Sequence, residues 1–256
     1  AEALKIAINA IFGKMGGKHE WFLDLQALYT VTFNGQLFLI MLIERLTEAG
    51  IDVFYGNTDG ITARVLSEQE ATFYRICKEW EEELKFDLEY VEIEKMMLRD
   101  VNNYTLKTVD GKVKEKGTFI RNLKLGKKVD AYVVAKAVAA WYYDDIPVEK
   151  TIMDETELSA FLMTVKVGDQ FTTEFHTIAD SERVVQKLQK VNRYYASIAQ
   201  GSGTLLKRNK EDGKYENLLK LSTVHICNDF TQPMLPINKQ YYISRAKRLI
   251  DGFNVQ

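Results

Sequence analysis

The 256-residue sequence is poor in cysteine: Cys77 and Cys227 are its only two, far apart in the chain. Two distant thiols build no disulfide framework, which excludes a stapled secreted module and leads us to expect a reducing, cytoplasmic compartment. His225-Ile226-Cys227 has the outline of a metal pair. No third or fourth ligand stands near it, and the residues read as strand. No uninterrupted apolar run approaches the ~20 residues of a membrane-spanning helix. No secretory leader is visible either, so no membrane partner is expected. Neither sign of charge dominates: the net charge of −2 excludes a chain that is basic throughout. Internal repeats and low-complexity tracts are also lacking. The first residue is Ala, set inside a helical pattern that runs to Ile11 without a capping residue before it. We therefore expect a piece of a longer protein.

What is present is an ordinary globular composition, 46% apolar and 27% charged, enough for one large domain or two small ones. The charge is unevenly spread. Residues 67–100 hold eleven acidic and five basic side chains, residues 112–136 two and eight, and residues 187–214 two and seven. Basic segments on an acidic chain suit either a polyanion or a solvated face.

Apolar spacing predicts one helix over Leu25–Gly50, with Gly50 at the position after its C-cap. "VFYGNTDGITARV", residues 53–65, reads as a β-hairpin about the corner Asn57-Thr58-Asp59-Gly60. Ser67-Glu-Gln-Glu70 reads as a capping box that opens a helix through about Lys85. Strands are expected at 88–94, 103–108 and 113–120. Helices follow at 129–144, 154–165 and 182–199, and shorter strands lie around 204–228. The fold expected is α+β, an antiparallel sheet with helices on one face followed by a mostly helical part, with a boundary near residues 122–128.

Three stretches carry chemistry. In "KIAINAIFG", Lys5, Ile8, Asn9 and Phe12 share one helix face. A cation, an amide and an aromatic suit a ligand with a phosphate at one end and a base at the other; an amphipathic helix with an incidental Lys suits the same spacing. Asp59 at the hairpin corner is rigid and exposed, as a metal ligand must be, and Glu94 is the best partner within the chain. In "NNYTLKTVDGKVKEKG", residues 102–117, Lys112, Lys114 and Lys116 point to one side of a strand. They would track a phosphodiester backbone or defend a sheet edge.

Taken in order, the three stretches resemble the C-terminal half of a family B DNA polymerase. "KIAINAIFG" is similar to the fingers motif Lys-x3-Asn-Ser-x-Tyr-Gly, and "YGNTDG" to the palm motif Tyr-Gly-Asp-Thr-Asp-Ser. "VNNYTLKTVDGKVKEKG" stands where that family has Lys-Lys-Arg-Tyr, a hairpin and Lys-Gly. The segment from Lys127 to Ile152 looks like the thumb of phage-type members.

The resemblance implies a nucleotidyltransferase that adds dNTPs to a primer 3′-hydroxyl on primer–template DNA, using two Mg²⁺ ions. Residues 1–50 would be the fingers helix and the helix leading into the palm, 51–122 the palm, and 123–256 the thumb and C-terminal segment. It implies that Lys5, Asn9, Phe12 and Gly13 meet the incoming nucleotide. Asp59 would be catalytic and bind metal, with Asn57 and Glu94 as lesser ligand candidates. Tyr104 and Lys116 would lie near the duplex. Lys112, Lys114, Arg121, Lys124, Lys127 and Lys128 would line its channel, whose walls would be the basic segments 112–136 and 187–214.

Departures from the pattern are Ala10 and Gly60 for Ser, Phe12 for Tyr, Asn57 for the first palm aspartate, and Asn102-Asn103 for basic residues. The family's other essential aspartate and its exonuclease lie upstream of the fingers helix. The isolated chain is therefore expected to be inactive without the missing N-terminal part of the polymerase. A phage-encoded member would work in the host cytoplasm. Two other readings stay open: a non-catalytic DNA-binding relative, and an α+β protein with no nucleic-acid role.

Overall fold

A computed structural model describes residues 2–121, 130–179, 181–221, 223–229 and 235–252. The boundary expected near 122–128 lies outside them, as do Lys124, Lys127 and Lys128. The chain divides into two compact units, Ala1–Val91 and Glu92–Gln256. It is α+β throughout, with antiparallel sheets.

The first unit begins with α1 (Glu2–Lys14) and α2 (Leu25–Glu48). Asp24 caps α2 by accepting from the Ala27 amide at 2.9 Å. Gly50, at φ +78°, turns the chain out of it. The hairpin β1 (Asp52–Gly56) and β2 (Ile61–Arg64) follows as expected, then a 3-10 turn at Ser67–Gln69 and α3 (Glu70–Leu84). Leu66 takes the N-cap position in place of the expected Ser67, and its side chain makes no capping bond. The Gln69 side chain accepts from the Leu66 amide and donates to the Gly50 carbonyl at 2.9 Å, tying the helix start to the end of α2. Leu42, Leu46, Ile51, Ile76, Cys77 and Trp80 form this unit's core, and the Trp80 indole donates to the Phe38 carbonyl at 2.8 Å.

Only the C-terminal part of α2 is inside that core. Tyr29, Phe33, Leu37 and Ile40 are exposed, as are Leu4, Ile8 and Ile11 of α1. By length and composition alone α2 could cross a membrane, since an 18-residue window reaches a mean hydropathy of 1.3. The sequence reading overlooked this because uncharged polar residues such as Thr30, Asn34 and Gln36 interrupt the apolar run.

The second unit opens with the sheet β3 (Ile93–Asp100), β4 (Asn103–Thr108) and β5 (Val113–Lys116). The first of these strands begins five residues later than the expected 88. Leu88 is held instead by its amide donating to Glu81 at 2.7 Å. The third stops at Lys116 because Gly117 takes φ +64°. Then come α4 (Tyr132–Asp144), α5 (Val148–Asp154), α6 (Leu158–Phe161), β6 (Met163–Lys166), β7 (Phe171–Ala179), β8 (Glu182–Leu188) and β9 (Val191–Ala196). The unit ends with β10 (Thr204–Asn209), β11 (Tyr215–Asn217), β12 (Val224–Ile226) and α7 (Lys239–Asp251). The strands form two further sheets, ordered β12-β9-β6 and β11-β10-β7-β8.

Two expected helices are corrected here. Residues 154–165 hold the end of α5, the single turn α6 and most of β6, and residues 182–199 are β8 and β9. The spacing Val184, Leu188, Val191, Tyr195 mimics a helix. Those residues are mostly β-branched or aromatic, however, and burial alternates from exposed Val191 through buried Asn192 and exposed Arg193 to buried Tyr194, as in a strand. With β7 and β6, they make this part of the chain a mixture of helix and sheet.

The core of the second unit joins Met97 and Phe119 to α4, α6, β9 and α7. Tyr242 anchors α7 within it. Its hydroxyl accepts from the Ala196 amide and donates to the Phe161 carbonyl, both at 2.9 Å, with no exposure. Tyr242→Phe keeps the ring but strands both backbone groups. We expect a loss of about 1–3 kcal/mol in chemical denaturation; a change under about 0.5 kcal/mol would refute this role.

Candidate nucleotide and nucleic-acid site

In the first unit, α1 presents the residues of the fingers-like motif. Asn9 and Gly13 are exposed and Phe12 is half-buried; Lys5 stands on the same helix. A Cβ added at Gly13 would meet nothing within 4 Å, so packing inside this chain does not require glycine there.

The hairpin corner is closed by its backbone, with the Asn57 amide donating to the Gly60 carbonyl at 2.8 Å. The Asn57 side-chain oxygen accepts from the Thr58 amide at 2.7 Å and from the Thr58 hydroxyl at 3.2 Å. That oxygen shapes the corner, and both its lone pairs are engaged. Asp59 contributes nothing to the turn. It is exposed, and among the described residues no hydrogen bond or ion pair holds its carboxylate. The strands hold the corner firmly: Tyr55 faces Thr62 and Gly56 faces Ile61. Ile43 of α2 lies 3.8 Å from where a Cβ on Gly56 would sit.

Glu94 belongs to the second unit, where its carboxylate pairs with Lys107 at 2.9 Å. Among the described residues no group of three or more His, Cys, Asp or Glu side chains is placed to hold a metal ion. Of the three oxygen donors named from the sequence, Asp59 alone is unengaged. Among the described residues, the Asp59 carboxylate is thus the one of these three donors left open to a ligand.

The lysine-rich stretch is more divided than a single basic stripe. Lys112 lies in the β4–β5 turn and pairs with Asp110 at 2.6 Å. The Lys112 hydrogen bond, helped by the Thr108 hydroxyl, lowers the Asp110 carboxyl to about 2. Lys114 and Lys116 face Leu106 and Tyr104 across the β4–β5 ladder. Lys114 is exposed, whereas Lys116 lies 5.8 Å over the ring of buried Tyr104 and donates to the Val101 carbonyl at 3.3 Å. Arg121 is paired with Glu115.

Sequence reasoning missed Asn103. Its side-chain oxygen accepts from the Thr118 amide at 2.9 Å and the Thr118 hydroxyl at 2.6 Å, while its nitrogen donates to Asp100 at 2.9 Å. It ties the β3–β4 turn to the Lys116-Gly117 end of β5, and the Asn103 hydrogen bond is the main cause of a lowered Asp100 carboxyl. The polar short side chain at a turn, three residues after an Asp, was the available signal.

No family model matches the chain. Over 114 residues it is 29% identical to DNA polymerase 2 of Aeropyrum pernix, a stretch that is 44% of this chain and 14% of that protein. The chain is thus a distant relative of a DNA polymerase over part of its length, and the match spans about one seventh of that relative.

Proposed function

We propose that this chain is the C-terminal part of a template-directed family B DNA polymerase of phage type, carrying the end of the fingers, one palm carboxylate and the thumb. The observation that carries this reading is Asp59, an exposed carboxylate with no structural task on a corner that closes without it. The likeness to DNA polymerase 2 supports the relation to a DNA polymerase that this reading contains. Lys5, Asn9, Phe12 and Gly13 are assigned to the incoming dNTP. Tyr104, Lys114 and Lys116, with the channel lysines and Arg121, are assigned to primer–template DNA.

Asp59 is assigned as one Mg²⁺ ligand. Bound Mg²⁺ supplies the Lewis-acid chemistry of phosphoryl transfer. The other ligands are assigned to the remainder of the polymerase, and the isolated chain is expected not to extend primers. The exposed apolar face of α1 and α2 is consistent with such a remainder.

A second reading, a DNA-binding relative without catalysis, draws on Asn57, whose oxygen is uncharged and occupied by Thr58. Primer–template DNA immobilised on cellulose tests the two against a protein with no nucleic-acid role. Both predict retention that falls steeply with salt. Flow-through at low salt contradicts both. Extension by the full-length polymerase with Mg²⁺ and the four dNTPs separates them.

A further inference from the structure

The sheet β11-β10-β7-β8 ends on an open side. β8 pairs with β7 from Glu182 opposite Ala179 to Leu188 opposite Thr173 without a register shift. Among the described residues no strand pairs with its other side. β7 is buried over residues 173–176, whereas β8 is exposed from Glu182 to Lys187, on both of its faces. Alternate residues of an antiparallel edge strand turn their N–H and C=O groups away from the sheet, where an added strand can take them.

Proteins blunt such edges with short strands, prolines, bulges or lysines at the centre. β11, at the far end of this sheet, is short at three residues, and β5, at the edge of another, carries Lys114 and Lys116 among its four. β8 has seven residues, no proline, no glycine and no bulge. Val184 and Val185 at its centre are 46% and 47% exposed, and Ile178 beside it on β7 is 71% exposed. A long, regular edge with an apolar middle is built to pair rather than to repel.

Residues directly opposite in an antiparallel ladder share a face. Arg183 stands opposite Ile178, Val185 opposite His176 and Lys187 opposite Glu174, so the three β8 residues share one face of the edge. Arg183 is held there, donating through Nε to His176 Nδ1 at 3.2 Å. A guanidinium only donates, so Nδ1 accepts, and His176 Nε2–H donates to Glu174 Oε2 at 2.9 Å. The Tyr215 hydroxyl donates to the same oxygen at 3.0 Å. Glu174, 2% exposed, is thus engaged from within the sheet. The edge presents cation, valine and cation at alternate positions, the cations about 13 Å apart.

This pattern selects the occupant. A second copy of β8, paired antiparallel over the whole strand, would set Arg183 against Lys187 twice, and like charges directly opposite are destabilising. A strand with carboxylates four residues apart and an apolar residue midway answers Arg183, Lys187 and Val185 in one register.

We propose that β8 is a docking edge for an extended acidic segment of a partner polypeptide, of the pattern acid-x-apolar-x-acid, which adds to the sheet as a further strand. Backbone hydrogen bonds supply the pairing, Arg183 and Lys187 set its register, and the Glu174–His176 pair holds Arg183 in position. Lys187, at the head of the basic segment 187–214, is then a contact to protein and not to a duplex. The proposal is independent of the polymerase reading.

The test is fluorescence anisotropy of the labelled peptide Thr-Glu-Thr-Val-Thr-Glu-Thr with the whole chain. It is compared with basic Thr-Lys-Thr-Val-Thr-Lys-Thr and with acidic Thr-Glu-Pro-Pro-Pro-Glu-Thr, which cannot join a ladder. We expect the first peptide to bind and the other two to bind roughly tenfold or more weakly. R183E/K187E should reverse the preference between the acidic and the basic strand. K166E/K220E, which changes the same charge at exposed lysines outside β8, should match the unmodified chain. On binding, the outward-facing amides of β8 should lose their exchange with solvent deuterium.

No binding of the acidic strand peptide, equal binding of the proline peptide, or an unchanged preference in R183E/K187E overturns the docking edge and leaves its cations as guards. None of these outcomes touches the polymerase reading. A labelled oligonucleotide that loses affinity in R183E/K187E, while the acidic peptide does not, makes the face a nucleic-acid contact and overturns the proposal as well. Should the double variant not fold for want of the Arg183–His176 bond, K187E alone, at an exposed side chain, must weaken the acidic peptide about threefold or more.

Discussion

Asp59→Ala in the full-length polymerase is expected to slow primer extension on the order of a thousandfold or more while leaving DNA binding and stability unchanged. Metal stabilisation of transition-state charge is worth several kcal/mol, and each 1.36 kcal/mol is tenfold in rate. The fold does not depend on this carboxylate. The Asn57–Gly60 backbone bond and the two Thr58 hydrogen bonds to Asn57 close the corner, and Asp59 holds no partner among the described residues. Its loss should therefore change stability by no more than about 0.5 kcal/mol. Asn57→Asp is the companion variant. It keeps an acceptor for Thr58 and adds a charge beside Asp59, so extension no faster than the parent would show that the amide at this corner is tolerated. Full activity of the Asp59→Ala enzyme would remove Asp59 from the chemistry altogether.

Gly117→Ala is expected to destabilise the second unit by about 3 kcal/mol or more and to weaken binding of DNA by the whole chain. The residue sits at φ +64°, where a side chain costs roughly 1–2 kcal/mol. A Cβ there would overlap the Asn102 carbonyl oxygen and the Asn103 side-chain oxygen. The first of these neighbours is backbone, which no rotamer change relieves, so overpacking of about 1–3 kcal/mol adds to the conformational cost. Moving either strand breaks the Asn103 bonds to Thr118 and shifts Lys116 off the Tyr104 ring. Urea denaturation measures the first effect and oligonucleotide anisotropy the second. A loss below about 1 kcal/mol would mean that the β3–β4 turn yields easily and that Asn103 is not the clamp described here.

The sequence was most legible where local signals were strong. The α2 span, the β1–β2 hairpin, α3 and the β4–β5 hairpin follow from apolar period and turn residues, which act over a few positions. The region from β6 to β9 was misread because helical spacing of apolar residues arose by coincidence on strands whose pairing is tertiary. Thr164 faces Arg193, and Glu174 faces Lys187, in pairings no local pattern encodes. The site shows the same division. Asp59 could be located by motif, but only the structure shows that the turn does not use it. Asn102-Asn103 looked like a loss of basic residues and proved to contain a clamp. The Glu174-His176 pair alternates along a strand that was not recognised, so its face stayed hidden.

Templated single-nucleotide incorporation by the full-length polymerase is the most direct test of the central claim. A primer–template with one defined next base is incubated with Mg²⁺ and each dNTP separately, in parallel with the Asp59→Ala variant. The account predicts extension by one residue with the complementary dNTP alone, and none by the variant although it binds the same DNA. A parent enzyme that binds the duplex without extending it, or a variant that extends at the parent rate, would contradict the account.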